Sequence, residues 1–232
     1  MLGIWVLVCM SNELSKLPFK GIGFDFDGVL LDSYGCMEAS WLATSSNFDL
    51  KIPFESYAQL VGLPFPKILE NLVIPESIRS SVTRFYFDST LRNESMITSF
   101  VGAKSLLQLI KKSGKSVFLI TSRSRASTER FLNDFQLKFD CVVAGDDLER
   151  GKPDVMPGQL ALSKLGLQSD EVVYIGDAQS DFEFAEALGW KFIFANYGFG
   201  KLDGSGRPFA EISKIDQIAE IIILDKREVT NE

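Results

Sequence analysis

Short apolar runs alternate along this chain with longer stretches that space apolar residues at helical intervals. Residues 21–24, 117–120, 141–143, 172–175 and 191–194 are near-continuous apolar runs of strand length. A parallel sheet covered on both faces requires strands of that kind. Between and after them, residues 103–112, 126–135, 157–165 and 182–188 carry amphipathic helical patterns. Gly114, Gly166 and Gly189 stand at or just past the ends of three of these helices, where glycine is the usual stop. The repeated alternation predicts an α/β fold with a doubly wound parallel sheet and ligands at the carboxyl ends of its strands.

The rhythm breaks between Tyr34 and about Ser95, where helical spacing continues without a convincing strand. Pro53, Pro64, Pro66 and Pro75 punctuate this stretch into about four helices, because proline fits only the first turn of a helix or lies outside it. The expected organisation is therefore a Rossmann-like core from residues 1–33 and 96–232, with residues 34–95 as an inserted α-helical cap. An insert after the first strand emerges beside the strand ends, where it can cover a site. The apolar leader MLGIWVLVCM has no preceding basic residue and is too short to span a bilayer. It reads as an upstream extension without a role in the fold, the other reading being an extra element packed on the core.

Composition narrows the function. The 232 residues carry a formal charge of −7, which disfavours a partner that is a nucleic acid or a membrane surface. Apolar residues at 46% and charged residues at 24% match an ordinary globular chain. Cys9, Cys36 and Cys141 are odd in number and far apart, as expected of reduced thiols in a cytoplasmic protein. Histidine is absent, so no mechanism can use imidazole as base, nucleophile or ligand. Carboxylates must do the acid–base work.

Four polar islands follow predicted strands. Asp25-Phe26-Asp27-Gly28 comes directly after the first; with Phe26 turned into apolar packing, both aspartates can face one cleft. Paired carboxylates repel, so a cation belongs beside them. Thr121-Ser122-Arg123 ends the second strand with hydroxyls suited to phosphate oxygens, or equally to a helix cap. Arg150-Gly151-Lys152-Pro153 sets a lysine on a turn, where most lysines are merely solvated. Gly176-Asp177 follows the fourth strand, with Asp181 four positions further on at the start of a helix, a pattern that equally suits simple N-capping.

In order and residue type these islands resemble the four motifs of the haloacid dehalogenase-like superfamily, in its phosphoglycolate phosphatase and β-phosphoglucomutase branch. The resemblance covers about residues 21–224. It implies Asp25 as the nucleophile that becomes a transient aspartyl phosphate, and Asp27 as the acid toward the leaving alcohol and then the base toward water. It implies Thr121, Ser122 and Lys152 as phosphate-binding residues. It implies Mg2+ held by the Asp25 carboxylate, the Asp27 backbone carbonyl and Asp177, with Asp181 behind them or reaching the ion through water.

The same resemblance points to a cap closing over a small phosphorylated substrate. Arg79, Arg84, Arg92, Lys51 and Lys67 are candidate specificity residues, and Gly62-Leu63-Pro64 is either a loop facing the site or an ordinary turn. A carboxylate at Asp27 favours phosphate-ester chemistry over dehalogenation. Met37 stands where the mutases usually place histidine, which disfavours a mutase. Val29 stands where threonine is commoner in phosphoglycolate phosphatases. The expectation is a Mg2+-dependent phosphatase, monomeric or homodimeric, acting best on 2-phosphoglycolate. A sugar-phosphate phosphatase or phosphosugar mutase is the alternative, and a silent phospho-ligand-binding protein a more distant one.

Overall fold

The computed structural model describes residues 19–222. The leader and Cys9 lie outside the described residues. Six parallel strands form one sheet: β1 (Gly21–Phe24), β4 (Ser116–Ile120), β5 (Cys141–Val143), β6 (Val172–Gly176), β7 (Lys191–Ala195) and β8 (Ala210–Ile212). Two short strands, β2 (Leu31–Asp32) and β3 (Thr98–Ser99), pair antiparallel in a ribbon outside that sheet.

The spatial order is β5-β4-β1-β6-β7-β8, all pairs parallel. The chain runs outward from β1 through β4 to β5, then crosses back to β6 and runs outward again. Strand order therefore reverses at β1, and the crevice at such a reversal is where ligands bind in open α/β sheets. Phe24 pairs with Leu119 on one side and Ile175 on the other. That register makes the chain leave β1, β4 and β6 at one edge, carrying the first, second and fourth islands together.

The sheet is apolar on both faces because alternate residues of each strand serve opposite cores. Val117, Leu119, Val173 and Ile175 pack into one cluster with Leu107 and Ile110. Phe118, Ile120 and Tyr174 pack into another with Phe184 and Trp190. Gly23 makes the second face possible, since a Cβ there would lie 2.5 Å from the Phe118 ring and 2.7 Å from Tyr174.

Between β2 and β3 lie four helices: α1 (Tyr34–Asn47), α2 (Phe54–Ala58), α3 (Phe65–Asn71) and α4 (Glu76–Asn93). Pro53, Pro64 and Pro75 immediately precede the last three, where a missing N–H costs nothing. These helices enclose a third apolar cluster built on Trp41, Tyr57, Leu69, Ile74, Val82 and Tyr86. The Trp41 indole N–H donates to the Ile52 carbonyl at 3.1 Å, and its ring stacks on Tyr57 at 4.7 Å. Because β2 pairs with β3, the chain leaves and re-enters the core at one point.

Four core helices follow the sequence pattern closely: α5 (Ala103–Lys112), α6 (Arg125–Asp134), α7 (Met156–Leu165) and α8 (Gln179–Ala187). A fifth, α9 (Gln217–Ile222), was not anticipated, and neither were two strand features. β8 is a three-residue edge strand whose middle residue, Glu211, is exposed, so it lacks an apolar run. The β2–β3 ribbon is two residues long per strand and carries no periodicity to recognise.

Candidate active site

The chain turns sharply after β1. The Asp25 N–H donates to the Ile175 carbonyl at 2.8 Å, which pins the start of the turn to β6. Phe26 is fully buried in the core, as expected, and Gly28 adopts φ +76°. A Cβ on Gly28 would stand 2.1 Å from Asp177 Oδ2, so only glycine lets the first island lie against the fourth.

Asp25, Asp177 and Asp181 converge: one carboxylate oxygen from each lies within 4.8 Å of the others, and all three are buried. Lys152 reaches them from the loop before α7 and is 2% exposed. Its ammonium donates to Asp25 Oδ1 at 2.7 Å, to Asp181 Oδ1 at 2.6 Å and to the Tyr174 hydroxyl at 3.2 Å, which occupies all three of its protons. Tyr174 in turn donates to the Ile120 carbonyl at 3.0 Å. The backbone fixes two of the four remaining oxygens. Asp181 Oδ2 accepts from the N–H groups of Asp177 and Ala178, and Asp177 Oδ2 accepts from Phe199 at 2.7 Å and Gly200 at 3.1 Å.

Three carboxylates here face one ammonium, leaving two negative charges unbalanced in a place shielded from water. Burial pushes the Asp177 carboxyl up to about 7, with the nearby Asp181 charge adding to it. Burial likewise raises Asp25 well above the ordinary range, although Lys152 opposes the rise. For Lys152 burial acts downward, but Asp181 and Asp25 outweigh it and hold the ammonium well above its usual value. A hard dication would supply the missing charge, and carboxylate oxygens are the donors that Mg2+ takes. The residues present therefore fit the expected ion.

Asp27 points elsewhere. Its side chain is outside the three-carboxylate group; what the resemblance implied from it was a backbone carbonyl. Arg123 donates to it through Nε to Oδ2 and Nη2 to Oδ1, both at 2.6 Å, and the Ser33 hydroxyl adds a third donor to Oδ1. This is a side-on, two-pronged guanidinium–carboxylate pair. Arg123 also lies over the Phe131 ring at 5.0 Å. Thr121 is buried at the end of β4, where its hydroxyl accepts from the Arg123 N–H at 3.2 Å. Ser122 is exposed, one residue further into the loop.

The helices between β2 and β3 reach this edge of the sheet. A Cβ on Gly62, at φ +104°, would meet Ser180 Oγ at 2.7 Å and the Ala178 Cβ at 2.9 Å, so its loop lies against the start of α8. Phe199, whose N–H holds Asp177, packs its ring on the Trp41 cluster and lies 5.5 Å from Tyr34. The five basic candidates of the insert engage their own neighbours instead. Lys51 pairs with Asp49, Lys67 with Glu70, Arg79 with Glu70 and the Ile74 carbonyl, Arg84 with Asp88, and Arg92 with the Ser89 hydroxyl.

Arg123 and Tyr174 had no assigned role in the sequence. Arg123 stood inside the second island, two residues after Thr121, and a basic side chain in that place was the available signal. Tyr174 was hidden within an apolar run, since periodicity does not show where a strand tyrosine sends its hydroxyl. Ser33 acts through its hydroxyl on Asp27, and Phe199 through its backbone N–H on Asp177.

The family model for haloacid dehalogenase-like hydrolases matches residues 22–195. The chain is 27% identical over 203 residues to a phosphoglycolate phosphatase from Nitrosospira multiformis, covering 80% of this chain and 86% of that one. It is 25% identical over 181 residues to a phosphorylated carbohydrates phosphatase from Thermotoga maritima, covering 75% and 84%. In fold it is similar to a haloacid dehalogenase-like hydrolase from Bacteroides fragilis, with a TM-score of 0.80 over 86% of this chain and 99% of that one, at 23% identity.

Proposed function

The chain belongs to the haloacid dehalogenase-like hydrolases, and from that premise we propose that it is a Mg2+-dependent phosphatase of small phosphorylated metabolites, with 2-phosphoglycolate as the favoured substrate. The observation that carries the reading is the convergence of Asp25, Asp177 and Asp181 on one buried point, with Lys152 bound to two of them. The two phosphatase relatives support the reaction class.

In this reading Asp25, the Asp27 carbonyl and Asp177 hold Mg2+, with Asp181 orienting them through Lys152 and the backbone. The bound ion supplies positive charge opposite the phosphoryl oxygens, without which a carboxylate and a phosphate dianion repel. Thr121 and Ser122 bind those oxygens, and Lys152 joins them by exchanging its long contact to the Tyr174 hydroxyl, at 3.2 Å, for one of them. A carboxylate oxygen of Asp25 attacks phosphorus as the ester P–O bond breaks, and Asp27, entering the step protonated on the side of Oδ2 that Arg123 does not engage, gives that proton to the departing alkoxide. Asp27 then takes a proton from water as the water oxygen attacks phosphorus, the bond to Asp25 breaks, and inorganic phosphate leaves. Residues 34–95 act as the cap: with the Gly62 loop against Ala178 and Ser180 they exclude bulk water from this step.

The test is hydrolysis of p-nitrophenyl phosphate with Mg2+, with EDTA, and by Asp25→Asn. Activity is expected with Mg2+ alone, and activity that survives both chelation and the substitution overturns the mechanism. Because one relative is a phosphorylated carbohydrates phosphatase, a panel containing 2-phosphoglycolate and sugar phosphates decides the substrate. Return of the phosphoryl group to a sugar, rather than its release, would establish a mutase. No helix among the described residues is long and apolar enough to cross a membrane.

A further inference from the structure

The basic residues of the insert leave a gap in the site. Each of the five binds its own neighbours, so none is committed to an anionic group on the leaving part of a substrate. The cation that stands beside Asp27 is Arg123, from the second island. Asp27 uses only one edge of the guanidinium, through Nε and Nη2. On the other edge, Nη1 has the Ser127 hydroxyl at a long 3.3 Å. A guanidinium carries five N–H groups, so that edge keeps donors to spare, and its planar fork matches a second carboxylate. The side chain is 19% exposed, while the Phe131 ring supports one face of the guanidinium.

We propose that Arg123 determines specificity by bridging Asp27 on one edge and a carboxylate of the substrate's leaving part on the other. This rests on the phosphatase reading above, which puts the phosphoryl group at Asp25 and the ester oxygen at Asp27. An acid group one carbon from that oxygen then lies within reach of the guanidinium bound to Asp27. The favoured substrate class is phosphate monoesters of short α-hydroxy acids. A leaving part with hydroxyls alone leaves the fork with no ionic partner beyond Asp27.

The experiment compares kcat/KM for 2-phosphoglycolate and for ethyl phosphate, which lacks the carboxylate, in the wild type, Arg123→Gln and Arg123→Lys. The wild type is expected to favour 2-phosphoglycolate by at least about tenfold, the worth of a charge-assisted contact. Arg123→Gln should bring the ratio close to one. Arg123→Lys, which keeps the charge but not the fork, should fall between. Any loss of Asp27 positioning slows both esters alike and cancels in the ratio, so a merely structural arginine leaves it unmoved. A wild-type ratio near one, or an unchanged ratio in Arg123→Gln, overturns the proposal. If the glutamine variant does not fold, an unchanged ratio in Arg123→Lys does the same. Failure of the wild type to hydrolyse even p-nitrophenyl phosphate with Mg2+ would instead refute the phosphatase reading.

Discussion

Replacing Lys152 by methionine removes the one cation from a buried group of three carboxylates while keeping much of the side chain's bulk. The ammonium's bonds to Asp25 and Asp181, at 2.7 and 2.6 Å, are lost, and the Tyr174 hydroxyl loses a donor. Breaking a buried ion pair by deleting one partner costs about 3–5 kcal/mol, because the remaining charge stays out of water. Lys152 is 2% exposed and Asp181 fully buried, so screening does not reduce this figure.

The cost must also depend on pH. Without the ammonium the three carboxylates bind an additional proton in the folded state, at a pH well above the ordinary value for an unfolded aspartate. A carboxyl whose folded pKa is raised lowers stability as pH rises from its unfolded value toward its folded one. The variant should therefore lose more stability at pH 7.5 than at pH 5.5, by up to about 1.4 kcal/mol per pH unit for that proton. Urea unfolding of both proteins at the two pH values, with EDTA present, measures it. Adding Mg2+ should return part of the loss, since the ion supplies charge to the same oxygens. A difference below about 1 kcal/mol that is the same at both pH values would refute the view of this site as an excess of buried negative charge.

Two further outcomes follow from the same geometry. Burial pushes the Asp177 carboxyl up to about 7, and a ligand must shed its proton to bind metal. Mg2+ affinity measured by titration calorimetry should thus weaken as pH falls below that value, by up to about tenfold per unit, and a flat affinity from pH 8 to 6 contradicts it. Gly28 and Gly114 share similar φ values, +76° and +78°, but a Cβ at Gly28 meets Asp177 at 2.1 Å whereas one at Gly114 meets nothing within 4 Å. Both alanine variants should lose about 1–2 kcal/mol to the left-handed backbone. Only Gly28→Ala should also lose Mg2+ binding and phosphatase activity, so equal activity in the two refutes the close packing of the first and fourth islands.

Much of the scaffold could be read without coordinates, because buried parallel strands leave apolar runs and helices leave a period of 3.6. Residues 103–112 coincide with α5, and the prolines at 53, 64 and 75 mark three helix starts. The edge strand at Ala210–Ile212 escaped because a short, half-solvated strand needs no such run. Asp25, Asp27 and Asp177 stood out because charged residues directly after apolar strands have few structural reasons to be there, whereas Lys152, on a loop well past the end of β5, took its meaning only from the resemblance.

What the linear order of residues determined was the inventory: which side chains stand at strand ends, and that carboxylates rather than imidazole do the chemistry. The partnerships were decided only by the tertiary structure. Asp25 and Asp27 are two positions apart, yet one faces Lys152 and the other Arg123. Phe26 is driven into the core between them, and the turn at Gly28 sends the two carboxylates to different cations. Arg123 is 96 residues from Asp27, and Lys152 is 127 from Asp25. Contacts across such separations depend on strand register and loop path, which no local pattern encodes.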